Sequence, residues 1–261
     1  AVSKDGRNWT EIGPQQWARD GRTKEVTLST HPVARYVKVS VKEAVGNFGS
    51  GREFYVFKVP GTKTILPGDI NLDGKVDEND FTSYMNYTGL KKGDADFDGY
   101  ISGGDINGNG LIDAYDISTV AVELDGGVRN SSDKVRGSLV LTPNVKSYKA
   151  GDLVEIKVSG KDLHYVNALS FGLPYKADEL EYVGIDLKGM KDMVNLTYDR
   201  LHTNGTKELL PTFVNRGNNF LLDEGAPVLF TLKFRAKKAG KFQLKAVDGL
   251  LVDRNLGTVQ F

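Results

Sequence analysis

The sequence GDINLDGKVDENDF (residues 68–81) and its near copy GDINGNGLIDAYDI (residues 104–117) decide the architecture of the central part of this chain. The same offset of 36 residues continues into two helical patterns. One predicted helical face carries Phe81, Tyr84, Met85 and Thr88, and the other carries Ile117, Val120, Ala121 and Leu124. A fixed offset over loop and helix together indicates an internal duplication.

Each copy has the residue spacing of a calcium-binding loop. Ca²⁺ takes about six to eight oxygen ligands, which such a loop supplies from positions 1, 3, 5, 7, 9 and 12, with glycine at the sharp turn. The first loop offers Asp69, Asn71, Asp73, the carbonyl of Lys75, Asp77 and Asp80. The last loop offers Asp105, Asn107, Asn109, the carbonyl of Leu111, Asp113 and Asp116. A single Asp/Asn/Gly cluster usually marks a turn, but repeated matches at typed positions favour calcium.

A middle loop overlaps the last one. Its predicted ligands are Asp94, Asp96, Asp98, the carbonyl of Tyr100, Ser102 and Asp105. Asp105 would therefore be position 12 of the middle loop and position 1 of the last. We expect three calcium ions, with Asp105→Ala weakening the last two sites. The alternative is two ions, with Asp105 serving one site.

The charge distribution agrees with bound cations. Residues 69–116 contain eleven acidic and three basic side chains, a net charge of −8, and the remaining 23 acidic and 31 basic side chains give +8. Such a segment stays expanded by self-repulsion unless cations neutralise it. The overall charge of zero argues against a nucleic-acid binder with a dominant basic surface.

The flanking regions have strand periodicity. Residues 1–62 contain short β-like runs at 26–28, 36–41 and 54–59, which predict a small β module. Residues 63–126 form the predicted calcium module, residues 127–134 a polar linker, and residues 135–261 a β-sandwich. Four apolar strand faces support the sandwich: Val154/Ile156/Val158, Leu169/Phe171/Leu173, Phe230/Leu232/Phe234 and Phe242/Leu244/Ala246. The fold class is multidomain and mainly β, with a small α-helical calcium module.

At residues 69–124 the two loop-helix repeats, with Asp rather than Glu at position 12, resemble the dockerin family. The resemblance implies that the Asp and Asn side chains named for the two outer loops are calcium ligands. It also implies a cohesin-like partner, in cis or in trans, and assigns partner contact to loop positions 10 and 11. Those positions are Glu78, Asn79, Ala114 and Tyr115, where the family often has a small hydroxyl pair.

The flanking modules have resemblances of their own. SLVLTPNVKSYKAGDLVEIKVSG, ALSFGLPYKADELEYVG and PVLFTLKFRAKKAGKFQLK, all within residues 135–261, resemble cohesin-like sandwiches, with another sandwich family as the alternative. VSKDGRNW, ARYVKVSV and GREFYVFKV resemble the C-terminal part of a discoidin (F5/8 type C) domain. Such domains bind carbohydrate, and Trp17 is the candidate for stacking on a sugar ring.

Catalysis is not expected. The chain has no cysteine, which excludes disulfides, thiolate zinc sites and a cysteine nucleophile. Most paired carboxylates are assigned to calcium, so few remain for a glycosidase pair. A polar cluster at Tyr198, Asp199, Arg200 and His202 is interpreted as a solvated loop.

The sequence therefore predicts the non-catalytic C-terminal part of a bacterial carbohydrate-active protein. The resemblances imply that this protein is a glycoside hydrolase. The non-catalytic part would serve in protein–protein assembly or as a rigid spacer; the alternative is a lectin-like module that targets a catalytic domain to glycan. No apolar run approaches the roughly 18–20 residues that span a bilayer. We expect a secreted or cell-surface location, with any targeting signal outside this chain.

Overall fold

The computed structural model describes residues 1–261 except 4–6, 14, 19, 21, 25, 27–33, 35, 48, 50–53, 55, 57–65, 72, 100, 128–133, 188, 191–192 and 218–227, and it leaves out the side chains of residues 47, 98, 99 and 102. The chain divides into two compact units. One comprises residues 1–65 and 71–74, and the other comprises residues 66–70 and 75–261. In the described residues, no helix is long and apolar enough to cross a membrane.

The first unit contains little regular structure among its described residues. Strands Val2–Ser3 (β1) and Tyr36–Val37 (β2) pair antiparallel, and a 3₁₀ turn covers Val45–Asn47. The strand predicted over residues 36–41 is thus shorter than its alternation suggests, because Val37, Val39 and Val41 are all exposed and gain no burial from pairing. The strands predicted at 26–28 and 54–59 fall largely outside the described residues.

Three short helices follow within the second unit. They are Glu78–Tyr84 (α1), Ala95–Gly99 (α2) and Ala114–Leu124 (α3), with a 3₁₀ helix at Ile101–Gly104. Residues 66–70 and 75–127, which contain them, are called the helical segment below. Asp77 and Asp113 cap α1 and α3 through capping boxes, which satisfy amide groups that the first helical turn leaves unpaired.

Helix α1 is shorter than its sequence pattern predicts. It ends at Tyr84, and the chain continues in turns to Gly89, whose φ of 77° is a conformation that favours glycine. Met85 is consequently 46% exposed instead of sharing the buried face of Phe81 and Tyr84. The second predicted helical face agrees better, since Ile117, Val120 and Ala121 are all buried.

The rest of the second unit is an antiparallel sandwich, as predicted, although the predicted strand face Phe242/Leu244/Ala246 lies in a segment without strand pairing. One sheet has the order β3-β5-β12-β7, from Arg136–Pro143, Leu153–His164, Phe230–Ala236 and Leu180–Asp186. The other sheet has the order β15-β14-β6-β10-β9, from Thr258–Gln260, Val247–Val252, Ala168–Tyr175, Lys207–Leu210 and Tyr198–Leu201. After β10, the chain passes Pro211 and forms strand β11 (Thr212–Asn215). This strand pairs with β6 on one side and with β8 (Met193–Asn195) on the other. Strands β4 (Ser147–Tyr148) and β13 (Gly240–Lys241) form a separate pair.

Strand β6 is buried on both faces, and this positions the site described next. Its large residues, Leu169, Phe171 and Leu173, lie in the core between the two sheets. The alternate residues are Ala168, Ser170 and Gly172, and they lie on what we call the outer face of the sheet. Ala168 on that face belongs to a second hydrophobic core together with the helical segment. Small residues on the outer face allow helices to approach the sheet closely.

Candidate functional site

The last predicted calcium loop is closed by hydrogen bonds at the N-terminus of α3. Asp113 accepts from the amide of Tyr115 at 2.7 Å, and Asp116 accepts from the amides of Ile106 at 2.7 Å and Asp113 at 2.9 Å. The helix therefore holds two of the predicted carboxylates at the loop's end.

The start of the same loop is folded by its own side-chain oxygens. Asp105 accepts from the amides of Asn109 at 3.1 Å and Gly110 at 2.8 Å. The side-chain oxygen of Asn107 also accepts from the amide of Asn109, at 3.0 Å, and that of Asn109 accepts from the amide of Leu111, at 2.8 Å. Gly110 has a φ of 83°, which matches the glycine required at the turn.

The electrostatics of this loop fit a cation. Burial, followed by repulsion from Asp113, raises the pKa of Asp116 to about 8. Burial also raises the pKa of Asp113 to about 6, with repulsion from Asp105 adding to it. Buried carboxylates that repel one another are costly unless a positive charge is near. The donor set, which is oxygen only, is the kind that Ca²⁺ prefers.

The first loop repeats part of this arrangement. Asp77 accepts from the amide of Asn79 and donates its own amide to Asp80, both at 2.8 Å. Asp69 and Asp80 are buried. Asn71 and Asp73 belong to the other compact unit, where the amide of Asp73 donates to Asn71 at 2.8 Å. The segment from Lys75 onward returns to the second unit.

No group of three or more His, Asp or Glu side chains is gathered closely enough to hold a metal among the residues that the structure describes. The calcium sites therefore stay predictions that rest on spacing, donor chemistry and charge.

The predicted middle calcium loop, residues 94–105, is called the middle segment below. It is largely helical, because α2 and the 3₁₀ helix fill most of residues 95–104. Asp94 is buried, and its carboxylate accepts from the amides of Lys91 and Thr203, both at 2.9 Å, and lies 2.8 Å from Nδ1 of His202. Burial acts to raise the pKa of Asp94, but these hydrogen bonds outweigh it, so the pKa is lowered. Asp96 is exposed. The predicted Asp98 and Ser102 side chains and Tyr100 lie outside the described atoms.

The predicted partner-contact positions differ between the two repeats. Ala114 is fully buried, and its amide donates to Oγ of Ser170 on strand β6 at 3.2 Å, while Tyr115 is half-buried. Glu78 forms an ion pair with Arg216 at 2.9 Å, and Asn79 is exposed. The candidate sugar-binding Trp17, in the first unit, is 52% exposed.

The helical segment packs on the outer face of the sheet. Ile117, Val120 and Ala121 of α3 share one buried cluster with Ala168, Leu196, Val214, Leu250 and Val252 of the sandwich. Nearby, the amide group of Asn167 donates to Ser118 at 3.2 Å, and both residues are buried. The sequence analysis did not identify this surface. The signal was present, since Val214 and Val252 alternate with the core residues Phe213 and Leu251.

The interpretation of residues 198–202 as a solvated loop was wrong. Arg200 is only 9% exposed and His202 only 5%. Arg200 donates to the carbonyls of Asn86 at 2.9 Å and Thr88 at 2.9–3.1 Å, and it lies over the ring of Tyr198. These polar side chains are buried because they meet backbone and side-chain groups of the helical segment.

Substitution Asp105→Ala should weaken calcium binding at every site that uses this carboxylate, by at least about 100-fold, because ligand charge sets the affinity of such loops. Asp69→Ala, at the matched position of the first repeat, should weaken the binding of one calcium ion. Titration calorimetry of the metal-stripped chain measures the number of bound ions and their affinities in both variants. If Asp105→Ala loses one ion, as Asp69→Ala does, Asp105 serves one site; if it loses two, Asp105 serves two. Unchanged affinity in Asp105→Ala would contradict a site in the last loop.

Comparison with known proteins agrees with the repeats. Residues 67–125 match the family model of the dockerin type I domain. A search of curated proteins found no match.

Several solved structures are similar to part of the chain. A type II cohesin domain from the cellulosome of Acetivibrio cellulolyticus has 12% identity and a TM-score of 0.35, over 48% of this chain and 88% of that one. A type I cohesin–dockerin complex from Clostridium thermocellum has 16% identity and a TM-score of 0.33, over 50% and 92%. A non-cellulosomal cohesin from Archaeoglobus fulgidus has 11% identity and a TM-score of 0.33, over 47% and 83%. By the family model, residues 67–125 match a dockerin type I domain, and a β-sandwich follows them in the chain.

Proposed function

We propose that this chain is a non-catalytic assembly region in which the dockerin segment, folded around calcium, docks in cis on the sandwich that follows it. The two together would act as a rigid spacer in a larger protein. The observation that carries the proposal is the shared hydrophobic cluster between α3 and the outer face of the sheet. An open dockerin that waits for a partner in trans would leave this face uncovered.

Two arginines of the sandwich support docking at both ends of α1. Arg216 pairs with Glu78 at the start of α1 and lies 4.5 Å from the ring centroid of Phe81. It also reaches Asp125, beyond the end of α3, at 3.4 Å. Arg200 donates to backbone carbonyls just after α1. Arg200 is buried and Arg216 is half-buried. Arginines with several acceptors are typical anchors of specific interfaces.

Calcium would have a structural part in this arrangement. The two loops lie directly before α1 and α3, and their last Asp residues take part in the capping boxes of these helices. Binding of Ca²⁺ to the folded loops alone would stabilise the helices, and with them the surface that meets the sheet.

The wider setting follows from the dockerin match. We infer that the parent is a secreted or cell-surface carbohydrate-active protein, with a catalytic module outside this chain and with the first unit as a discoidin-like module. Isolated-chain assays on glycans test this inference, since turnover by this chain would contradict the assembly role.

Sedimentation velocity in calcium is expected to give a monomer over a roughly 100-fold range of concentration, because the docking face is already covered. The substitution Ser170→Arg should expose that face, since it puts a long charged side chain where Ala114 meets β6. Because Ser170 alternates with the core residues Leu169 and Phe171, the inner core should survive. The variant should then associate or sediment more slowly as an extended monomer. Concentration-dependent association of the wild-type chain would contradict docking in cis.

A further inference from the structure

A cluster of charged side chains links the middle segment to the sandwich, next to the apolar contact. Imidazole nitrogens of His202 lie 2.8 Å from Asp94 and 2.9 Å from Glu208. Lys91 lies 3.0 Å from Glu208 and 3.1 Å from Asp248. Two of these residues come from the helical segment and three from the sandwich. The lysine of the helical segment meets carboxylates of the sandwich, and its aspartate meets the sandwich's histidine.

The carboxylate of Asp94 is already used by donors. One oxygen accepts from the amide of Thr203, and the other accepts from the amide of Lys91 and faces His202. A carboxylate has about four lone-pair positions, so three donors leave little capacity for a cation. Asp105, which would be the twelfth residue of a middle calcium loop, accepts from the amides of Asn109 and Gly110 within the last loop. The two ends of the supposed loop thus belong to different networks.

The sandwich provides a buried position for the carboxylate of Glu208 in this cluster. Glu208 is 1% exposed, and a Cβ atom on Gly172 of the neighbouring strand would lie 1.9 Å from its Oε1 atom. Glycine at this position therefore gives the buried carboxylate its space. Both ring nitrogens of His202 lie within hydrogen-bond distance of a carboxylate, Nδ1 of Asp94 and Nε2 of Glu208. A buried ion pair tolerates loss of one partner poorly, which makes such a cluster selective for its complement.

We propose that Lys91 and Asp94 are the specificity-determining contacts through which the helical segment recognises a sandwich presenting a buried histidine–glutamate pair, and that the middle segment binds no calcium. This inference rests on the proposed docking in cis. It replaces the expected three ions by two, one for each duplicated loop, and gives the acidic middle segment a different partner, the imidazole of His202.

Calcium stoichiometry separates the two roles of Asp94. Calorimetry on the metal-stripped full chain should give two ions for the wild type and two for Asp94→Asn. Asp96→Asn is the matched control, because Asp96 is position 3 of the supposed loop but is exposed. A count of three in the wild type that falls to two in both variants would overturn the inference.

A double-mutant cycle tests recognition. Asp94→Asn and His202→Gln should each lower the melting temperature in calcium by about 5–10 °C, and the double variant should lie close to the worse single one. Asp96→Asn should shift it by less than about 2 °C. Additive shifts for Asp94→Asn and His202→Gln would overturn the inference. Failure of docking itself would look different, because the wild-type chain would then melt in two independent transitions.

Discussion

Removal of calcium with an excess of chelator is expected to unfold the helical segment while the sandwich stays folded. At free calcium about 1,000-fold above the dissociation constant, each bound ion contributes about 4 kcal/mol of stability. Two ions therefore contribute about 8 kcal/mol, which is comparable with the whole stability of a small domain. Without them, the eleven acidic side chains between residues 69 and 116 repel one another.

Far-ultraviolet circular dichroism measures this loss, because the described α-helices, α1, α2 and α3, all lie in the helical segment. Readdition of calcium should restore the signal. Magnesium at the same concentration should restore less, because it requires a tighter octahedral shell and gives up water reluctantly. Full retention of the helical signal in chelator would contradict a structural part for calcium.

Substitution Arg200→Ala is expected to destabilise the docked chain by about 3 kcal/mol. It leaves the carbonyls of Asn86 and Thr88 without their charged donor in a buried position. For a unit of this size, that loss corresponds to a melting temperature lower by about 6–12 °C. Arg200→Lys should recover only part of it, because an ammonium group lacks the planar fork that meets both carbonyls.

The matched control is Arg235→Ala, which removes an exposed arginine from strand β12 of the other sheet. It should shift the melting temperature by less than about 2 °C. Differential scanning calorimetry measures both shifts. Equal shifts in the melting temperature of the two variants would contradict an anchoring role for Arg200.

Much of the sandwich could be predicted from the sequence, because period-2 alternation directly reports a strand with one buried face. Val154, Ile156 and Val158 lie in the core as predicted, and so do Phe230 and Phe234. The strongly typed loops could also be predicted, since calcium requires fixed ligand spacing. The family match to residues 67–125 confirms the resemblance to dockerins, and the calcium ligands stay predictions.

The contact between the modules could not be predicted in the same way. Ala168 and Ser170 carry no pattern that distinguishes a covered outer face from a solvated one. Arg200 and His202 resemble the polar residues of an exposed loop, and only the tertiary fold brings them to Asn86, Thr88 and Asp94. Polar residues can be buried wherever their hydrogen bonds are satisfied, and satisfaction depends on partners more than 100 positions away.

Helix α1 differs from prediction for a local reason. Periodicity continues through Met85 and Thr88, but the helix ends at Tyr84 and the chain turns at Gly89. A Cβ atom on Gly89 would lie 2.3 Å from the side chain of Leu210. The turn at Gly89 therefore lies close against the sandwich, and the sequence pattern contains no information about that neighbour.

Methyl-resolved NMR of the full chain, with and without calcium, tests the central claim most directly. If the calcium-folded segment covers the outer face of the sheet, chelator should shift the methyl signals of Ala168, Val214 and Val252 strongly. The signals of Val154, Ile156 and Leu169, in the core between the sheets, should move little. Outer-face methyl signals that stay unchanged on calcium removal would contradict calcium-dependent docking in cis.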